Sequence, residues 1–284
     1  MKIMERFSNN EIEFLIENYK NVGSTECSKI LKRFTPKQIR QKANILGLKL
    51  TREKYKKILF DSHQKTFDKY LVNPTQFMNI TSLEVAYILG LLWADGYLNN
   101  TKTNQYIILS VKESDGLIFN KIFQKTGEWK VYHYPARNKT KSQLSIRTNN
   151  RPIFQFLLEN DYKNKKIKSP SKILSLIPQL LHKYFWRGYF DGDGCIWLRN
   201  KLPYCCFSGP YNQDWSAHTD FLKYLGIASF KIYKKINKTG KGSSLNINKK
   251  DDNKIFLKYI YNGFEIDQLG LYRKYERFRL SKIF

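Results

Sequence analysis

Apolar positions recur at helical spacing in three short stretches near the N-terminus. Ile12, Leu15, Ile16 and Tyr19 share one face of a helix over 10–19, and Cys27, Ile30 and Leu31 share one over 25–31. A third begins at Thr35-Pro36, a capping residue followed by proline at the first helical position; it turns Ile39, Ala43 and Leu46 inward before Gly47 stops it. Three helices with short connections predict a helix-turn-helix domain over residues 1–50, whose last helix would enter a major groove. Its outward residues are Lys37, Gln38, Arg40, Gln41, Lys42 and Asn44. Gln, Asn and Arg can read base edges while Lys holds phosphate; a plain three-helix bundle with a solvated basic face would give the same pattern. Residues 51–80 show no sustained period and break at Asn73-Pro74, as expected of a linker.

From 81 onward the pattern repeats, over 81–177 and again over 178–284. Each copy opens with a helix studded with small residues and ending in Asp-Gly, Leu83 to Gly96 and then Leu180 to Gly194. Two strand-like runs, a helix, two more runs and a closing helix follow. In the first copy these are 97–100, 105–112, 114–126, 129–135, 142–148 and 150–160. In the second they are 195–199, 204–208, 211–225, 229–236, 243–248 and 251–262, with a terminal helix at 270–281. The runs alternate as a half-buried sheet requires. Leu144 and Ile146 oppose Gln143, Ser145 and Arg147; Leu245 and Ile247 oppose Ser244, Asn246 and Asn248. Lys130, Tyr132 and Tyr134 oppose Trp129 and Val131, and Lys231, Tyr233 and Lys235 oppose Ile232. The outward set is basic, polar and aromatic and holds no acid, which favours a nucleic-acid-facing surface over an ordinary solvated one.

Composition sharpens this. Fifty Lys and Arg against 24 Asp and Glu leave a formal charge of +26 on 284 residues, and such self-repulsion is commonly tolerated because the partner is a polyanion. Lysine-rich drift in an AT-rich genome is the competing explanation. A hydrophobic fraction of 42% excludes a disordered tail. No apolar run approaches the ~20 residues of a membrane span, and the N-terminus lacks the apolar core of a signal peptide. The expected setting is the cytoplasm of a bacterial or phage host, with an organelle left open. Cys27, Cys195, Cys205 and Cys206 form no CxxC pair, and the four histidines are scattered, so neither a disulfide framework nor a zinc site is signalled.

Gly90 and Ala94 stand four apart in the first repeat helix, and Gly188 and Gly192 in the second. Small residues at this spacing let two helices approach closely, so each is the natural partner of the other. Side-by-side packing places Asp95 beside Asp193. Each carboxylate then lies at the negative end of its helix, disfavoured by about 0.3–1 kcal/mol, and the two repel. A divalent cation removes both penalties: Mg²⁺ takes one or two carboxylates and completes its shell with water and substrate phosphate, and supports in-line displacement at phosphorus. Taken singly, either Asp-Gly pair could merely end a helix, with Gly in the left-handed position after it. A calcium loop at Asp191-Gly-Asp193-Gly fails, because it needs an acid at Leu202.

The sequences ILGLLWADG (88–96) and WRGYFDGDG (186–194) resemble the paired motifs of the single-chain LAGLIDADG homing endonuclease family. The resemblance covers about 81–284. It implies an α+β fold of two pseudo-symmetric αββαββα repeats, here preceded by the small all-α domain, with the sheets forming a saddle over duplex DNA. It further implies a monomer that cuts both strands across the minor groove with Mg²⁺ (or Mn²⁺). The metal-binding carboxylates fall on Asp95 and Asp193. The basic residue expected near each centre falls on Lys165, within Lys163-Asn-Lys-Lys166, and on Lys274, with Arg273 as competitor. Lys112, Glu113 and Ser208 match loop positions that contact water and phosphate. Position 93 departs from the motif, carrying Trp where an acid usually stands, while the second copy keeps Asp191. Two other activities share the fold: intron-RNA maturase work, and non-cleaving DNA-binding regulation. An intein is the less expected host, since the chain starts with Met and ends in Ser281-Lys-Ile-Phe284.

Overall fold

The computed structural model describes residues 7–58, 61, 73–101, 104–136, 141–237 and 240–281. The chain divides into two compact units, Met1–Lys69 and Tyr70–Phe284.

In the first unit a helix spans Asn9–Ile30 but is broken at Gly23, whose φ of 82° and ψ of 174° make it two helices, as two separate apolar stretches predict. Ser8 and Glu11 cap its start reciprocally. The next helix, Pro36–Ile45, opens with a second capping box between Thr35 and Gln38. Leu15, Tyr19, Cys27, Phe34, Ile39 and Ala43 form the core, and Phe7 stacks on Phe34 with ring centroids 3.7 Å apart. Ile16 and Ile30, expected on the buried face, are exposed. The stripe is instead centred on Leu15 and Tyr19, with Phe14, Val22 and Leu31 at its edge. Residues 52–58 are helical, and Thr51 N donates to Lys20 O at 2.9 Å, so the start of the expected linker folds with this unit.

The second unit begins with a short helix, Pro74–Met78, that sends Phe77 and, just beyond it, Ile80 into the main core. The remainder of the expected linker, 59–60 and 62–72, lies outside the described residues. The first motif helix, Leu83–Asp95, is capped by Ser82 and leads into strands β1 (Gly96–Asn100) and β2 (Gln105–Lys112). A helix at Glu113–Gln124, strands β3 (Lys130–Tyr134) and β4 (Gln143–Thr148) and a helix at Arg151–Glu159 complete the first copy. The second motif helix, His182–Asp193, leads into β5 (Gly194–Arg199) and β6 (Leu202–Pro210). Then come a helix at Ser216–Tyr224, β7 (Phe230–Asn237), β8 (Gly240–Ile247) and helices at Lys250–Tyr261 and Tyr272–Arg279. The two sheets are antiparallel with matching strand orders, β1-β2-β4-β3 and β5-β6-β8-β7. The fold is therefore α+β, two αββαββα repeats preceded by a helical unit.

Asn200 and Lys201, at φ of 53° and 63°, make the tight turn between β5 and β6. The helix expected from 211 starts later, at Ser216, because Asp214 accepts from Ser216 N at 2.9 Å and starts it there. Short helices at Ser171–Leu174 and Phe264–Asp267 and a 3₁₀ turn at Tyr162–Asn164 join the larger elements. One core runs through both repeats, with the motif helices at its centre: Val85 through Trp93 and Phe185 through Asp191 are all buried. Among the described residues no helix is long and apolar enough to cross a membrane.

Candidate metal centre and nucleic-acid interface

The motif helices meet through their small residues. A Cβ on Gly90 would stand 1.9 Å from Phe185 O, one on Gly188 2.1 Å from Tyr87 O, and one on Gly192 2.5 Å from Ala94 Cβ and 3.1 Å from Asp95 Oδ2. Gly96 and Gly194 end the helices in extended backbone, φ −68° and −82°, not in the left-handed conformation that simple Asp-Gly termination would use. They are glycines because nothing larger fits. A Cβ on Gly96 would meet Tyr162 Oη at 2.3 Å, and one on Gly194 the Phe190 ring at 2.1 Å.

This packing sets Asp95 and Asp193 against each other at the paired helix ends. Lost hydration, then the Asp95 charge, push Asp193 up to about 7. Asp95, the more open of the two, is also raised, first by desolvation, while Lys165 and Lys274 act against the rise. Those two lysines occupy equivalent places. Lys165 Nζ donates to Leu92 O (3.2 Å), Trp93 O (2.7 Å) and Ala94 O (2.5 Å). Lys274 Nζ donates to Phe190 O (2.5 Å), Asp191 O (3.0 Å) and Gly194 O (2.6 Å). Each ammonium thus satisfies carbonyls left open at the C-terminal end of a motif helix and offsets its dipole. Burial holds both lysines below the ordinary lysine value, opposed by the aspartates.

A recess of about 320 Å³ opens beside Asp193, lined among others by Lys165, Lys166, Tyr189, Ser208 and Gln213. Among the described residues no three His, Cys, Asp or Glu side chains gather. A cation here would have two protein carboxylates, and the pair fits a hard, partly hydrated ion such as Mg²⁺.

Further side chains support the centre, and of these Arg187 is not singled out by the sequence. Asp191 is buried: its Oδ2 accepts from Tyr87 Oη at 2.7 Å and from Leu271 N at 2.9 Å, tying together both motif helices and the closing segment. Arg187, wholly buried, donates to Asp267 Oδ1 at 2.7 Å and to the carbonyls of Ile260, Leu269 and Asn262. Its one sequence signal is a charge inside an otherwise aromatic stretch. Arg273, the competitor to Lys274, makes a bidentate ion pair with Asp115 of the first copy. Trp93, in the place of the motif's usual acid, is buried edge-on against Tyr162.

The outward strand residues line up in register. Lys130 pairs with Arg147, Tyr132 with Ser145 and Tyr134 with Gln143; Lys231 pairs with Asn246 and Tyr233 with Ser244, and Lys235 lies opposite Gly242. Tyr132, Tyr134, Gln143, Lys231, Tyr233, Lys235 and Asn248 are exposed, and Lys130, Arg147, Ser244 and Asn246 are half-buried. Ser145 corrects the reading: it is 2% exposed, covered within the row and hydrogen-bonded to Ser110 Oγ at 2.7 Å. Arg147 lies over the Tyr106 ring at 3.7 Å. Ile232, expected inward, is exposed because β7 is an edge strand whose outer half stands clear of the core. Ser208 lines the recess. Lys112 precedes the helix that begins at Glu113, and Glu113 faces His133 at 3.3 Å.

In the first unit Lys37, Arg40, Gln41 and Asn44 are exposed. The Gln38 amide oxygen is engaged by Thr35 N at 2.8 Å, and Lys42 lies over the Phe7 ring at 5.8 Å.

No family model and no curated protein matches the chain. Its structural neighbours are LAGLIDADG proteins. The homing endonuclease I-WcaI, solved bound to its DNA recognition sequence, is 15% identical at a TM-score of 0.45, over 72% of this chain and 90% of that one. I-DmoI in complex with DNA and Mn is 17% identical at 0.43, over 63% and 96%. Full-length DUF199/WhiA from Thermatoga maritima is 15% identical at 0.41, over 72% and 69%.

Proposed function

We propose that the chain is a divalent-metal-dependent endonuclease that cuts both strands of duplex DNA at a specific site, in the manner of a homing endonuclease. One observation carries the reading: Asp95 and Asp193 end two pseudo-symmetric helices that pack without room for a Cβ at Gly90, Gly188 or Gly192, and Asp193 lines a recess beside them. Two carboxylates held so are unfavourable without a cation and well placed with one.

Asp95 and Asp193 would hold the divalent cation. Bound Mg²⁺ or Mn²⁺ supplies charge neutralisation and Lewis acidity at a phosphodiester. Lys165 and Lys274 fix the helix ends and keep positive charge behind the carboxylates, which favours their ionised forms. The recess beside Asp193 admits a phosphate with its water. The lysine and tyrosine rows of the two sheets receive the duplex, the lysines through phosphate contacts, and the N-terminal unit adds contacts that raise local concentration on DNA. Because both carboxylates come from one chain, a monomer carries a complete centre.

The test is cleavage of a randomised duplex library with Mg²⁺, wild type beside Asp193→Asn, with EDTA as control and sequencing of the ends. Discrete cuts that need metal and vanish in the variant are expected. Salt-sensitive retention of a sequence subset without cutting would replace the endonuclease by a DNA-binding regulator, and retention of intron RNA alone by a maturase.

A further inference from the structure

Strand β5 leaves the second motif helix and carries Cys195 immediately after Gly194. In the antiparallel register its direct partner on β6 is Cys206. Directly opposed residues on antiparallel strands have Cα atoms about 4.5–5.5 Å apart, and their side chains lie on the same face. Disulfides span Cα separations of roughly 4.4–6.8 Å, so direct cross-strand pairing places the two residues within the range a disulfide needs. Both are free thiols; Cys195 is exposed and Cys206 partly so. Cys205 and Cys27 are buried. Cys205 alternates to the core side of β6, which leaves Cys206 as the partner within reach of Cys195.

The surroundings of the pair matter as much as its spacing. Cys206 is in register with Asn246, and Asn246 with Lys231, so the thiols begin a cross-strand row that ends in an exposed lysine. The next row of the same face holds Trp197 stacked on Tyr204, ring centroids 5.8 Å apart. The dithiol therefore sits within the polar, basic and aromatic face of the second sheet.

We propose that Cys195 and Cys206 are a modification site, a dithiol that a low-molecular-weight disulfide closes into an intramolecular disulfide and that duplex DNA on this face shields. The shielding rests on the function proposed above; the closure does not. In the first step the sulfur of Cys195, the more accessible, attacks one sulfur of the small disulfide, forming a mixed disulfide. The Cys195 proton passes to solvent, and the departing thiolate takes one up to leave as a thiol. In the second step the sulfur of Cys206 attacks Cys195 of the mixed disulfide, and the second small thiol leaves with its proton replaced in the same way. Two protein thiols are oxidised and one small disulfide is reduced to two thiols.

The experiment treats the full chain with oxidised glutathione, blocks remaining thiols, and reads intact mass and linked peptides. Loss of two hydrogens, with Cys195 joined to Cys206 and Cys27 and Cys205 blocked only after unfolding, is expected. Cys206→Ser should instead hold one glutathione on Cys195. A wild-type protein that stops with separate adducts on the two residues, or does not react, overturns the site. Repeating the reaction with sheared duplex DNA well above its Kd should slow closure by about tenfold or more. Closure at an unchanged rate would overturn the shielding and the placement of DNA on this face, while leaving the dithiol standing.

Discussion

Gly90 packs against Phe185, and Gly188 against Tyr87, with no room for a methyl group, each facing main chain of the opposite motif helix: Phe185 O at 1.9 Å and Tyr87 O at 2.1 Å from the added Cβ. Backbone cannot rotate aside as a side chain can, so an alanine must push the helices apart along a shared core. Gly188→Ala and Gly90→Ala should each cost at least the upper end of the usual overpacking range, about 1–3 kcal/mol, read as a lower urea midpoint. Gly242→Ala, whose Cβ would meet only Gly209 O at 3.6 Å, is the control and should stay close to wild type. Equal stability of Gly188→Ala and Gly242→Ala would refute the backbone contact.

The raised Asp193 carboxyl has a signed consequence. Its folded pKa, about 7, lies above the ordinary 3.8, so the folded state holds its proton more tightly than the unfolded chain. The contribution is fully present below about pH 4 and is lost as pH rises through 7. Without divalent cation, Asp193→Asn should therefore be more stable than wild type at neutral pH, with the advantage gone near pH 4. Mg²⁺ should raise the melting temperature of wild type at neutral pH and do so less in the variant. Calorimetry across pH, with and without EDTA, checks this; identical profiles would mean the carboxylate is not strained.

The two lysines share a role but differ in burial. Lys274 is 4% exposed and its ammonium serves three carbonyls; Lys165 is half-buried. Lys274→Met strands those acceptors away from water, at about 1–3 kcal/mol per unsatisfied group, and a total loss of about 2–5 kcal/mol is expected after relaxation. Lys165→Met lets water replace the ammonium and should cost roughly 1 kcal/mol. Both should reduce metal-dependent cleavage. Chemical denaturation beside a nicking assay separates the effects, and equal stability losses would contradict the difference in burial.

His218 supplies an opposite pH trend. It is fully buried among Trp186, Tyr189, Phe207 and Trp215, and among the described residues neither ring nitrogen has a hydrogen-bond partner. Burial pushes it down to about 3. Its contribution is full above the unfolded pKa of 6.5 and is lost as pH falls toward 3. Exchange for phenylalanine, which keeps the aromatic packing, should flatten the acid limb of the stability curve between those values. An unchanged limb would place acid sensitivity elsewhere.

Much of this was legible in the sequence because it rests on local period. The alternation of Leu144 and Ile146 with Gln143 and Arg147 marks a strand whatever surrounds it, and the spacing of Gly90 with Ala94 and of Gly188 with Gly192 marks a close helix pair. What escaped depends on distant partners. Nothing near Asp191 announces that Tyr87 and Leu271 N will enclose it, and nothing near Ser145 shows that its row will cover it. Ile232 has the period of a core residue, yet an edge strand leaves it outside. Gln38 has the type and position of a base reader, but its amide oxygen accepts from Thr35 at the helix start.

Arg273 and Asp115 lie 158 residues apart and join the closing helix of the second copy to the first copy through Nε–Oδ1 at 3.1 Å and Nη2–Oδ2 at 2.7 Å. Asp115 is nearly enclosed while Arg273 is about half open, so solvent weakens the pair below a fully buried one. A coupling of about 1–2 kcal/mol is expected for a bidentate, charge-assisted contact of this kind. Arg273→Ala leaves Asp115 with Lys112 at 3.8 Å as its remaining cation, and should cost nearly as much as Asp115→Ala. In a double-mutant cycle read by urea denaturation, the double variant should be little worse than either single one. Additive losses would mean that the two charges do not interact, and that the closing helix is held by its other contacts, among them the Lys274 hydrogen bonds and the packing of Leu271 and Phe278.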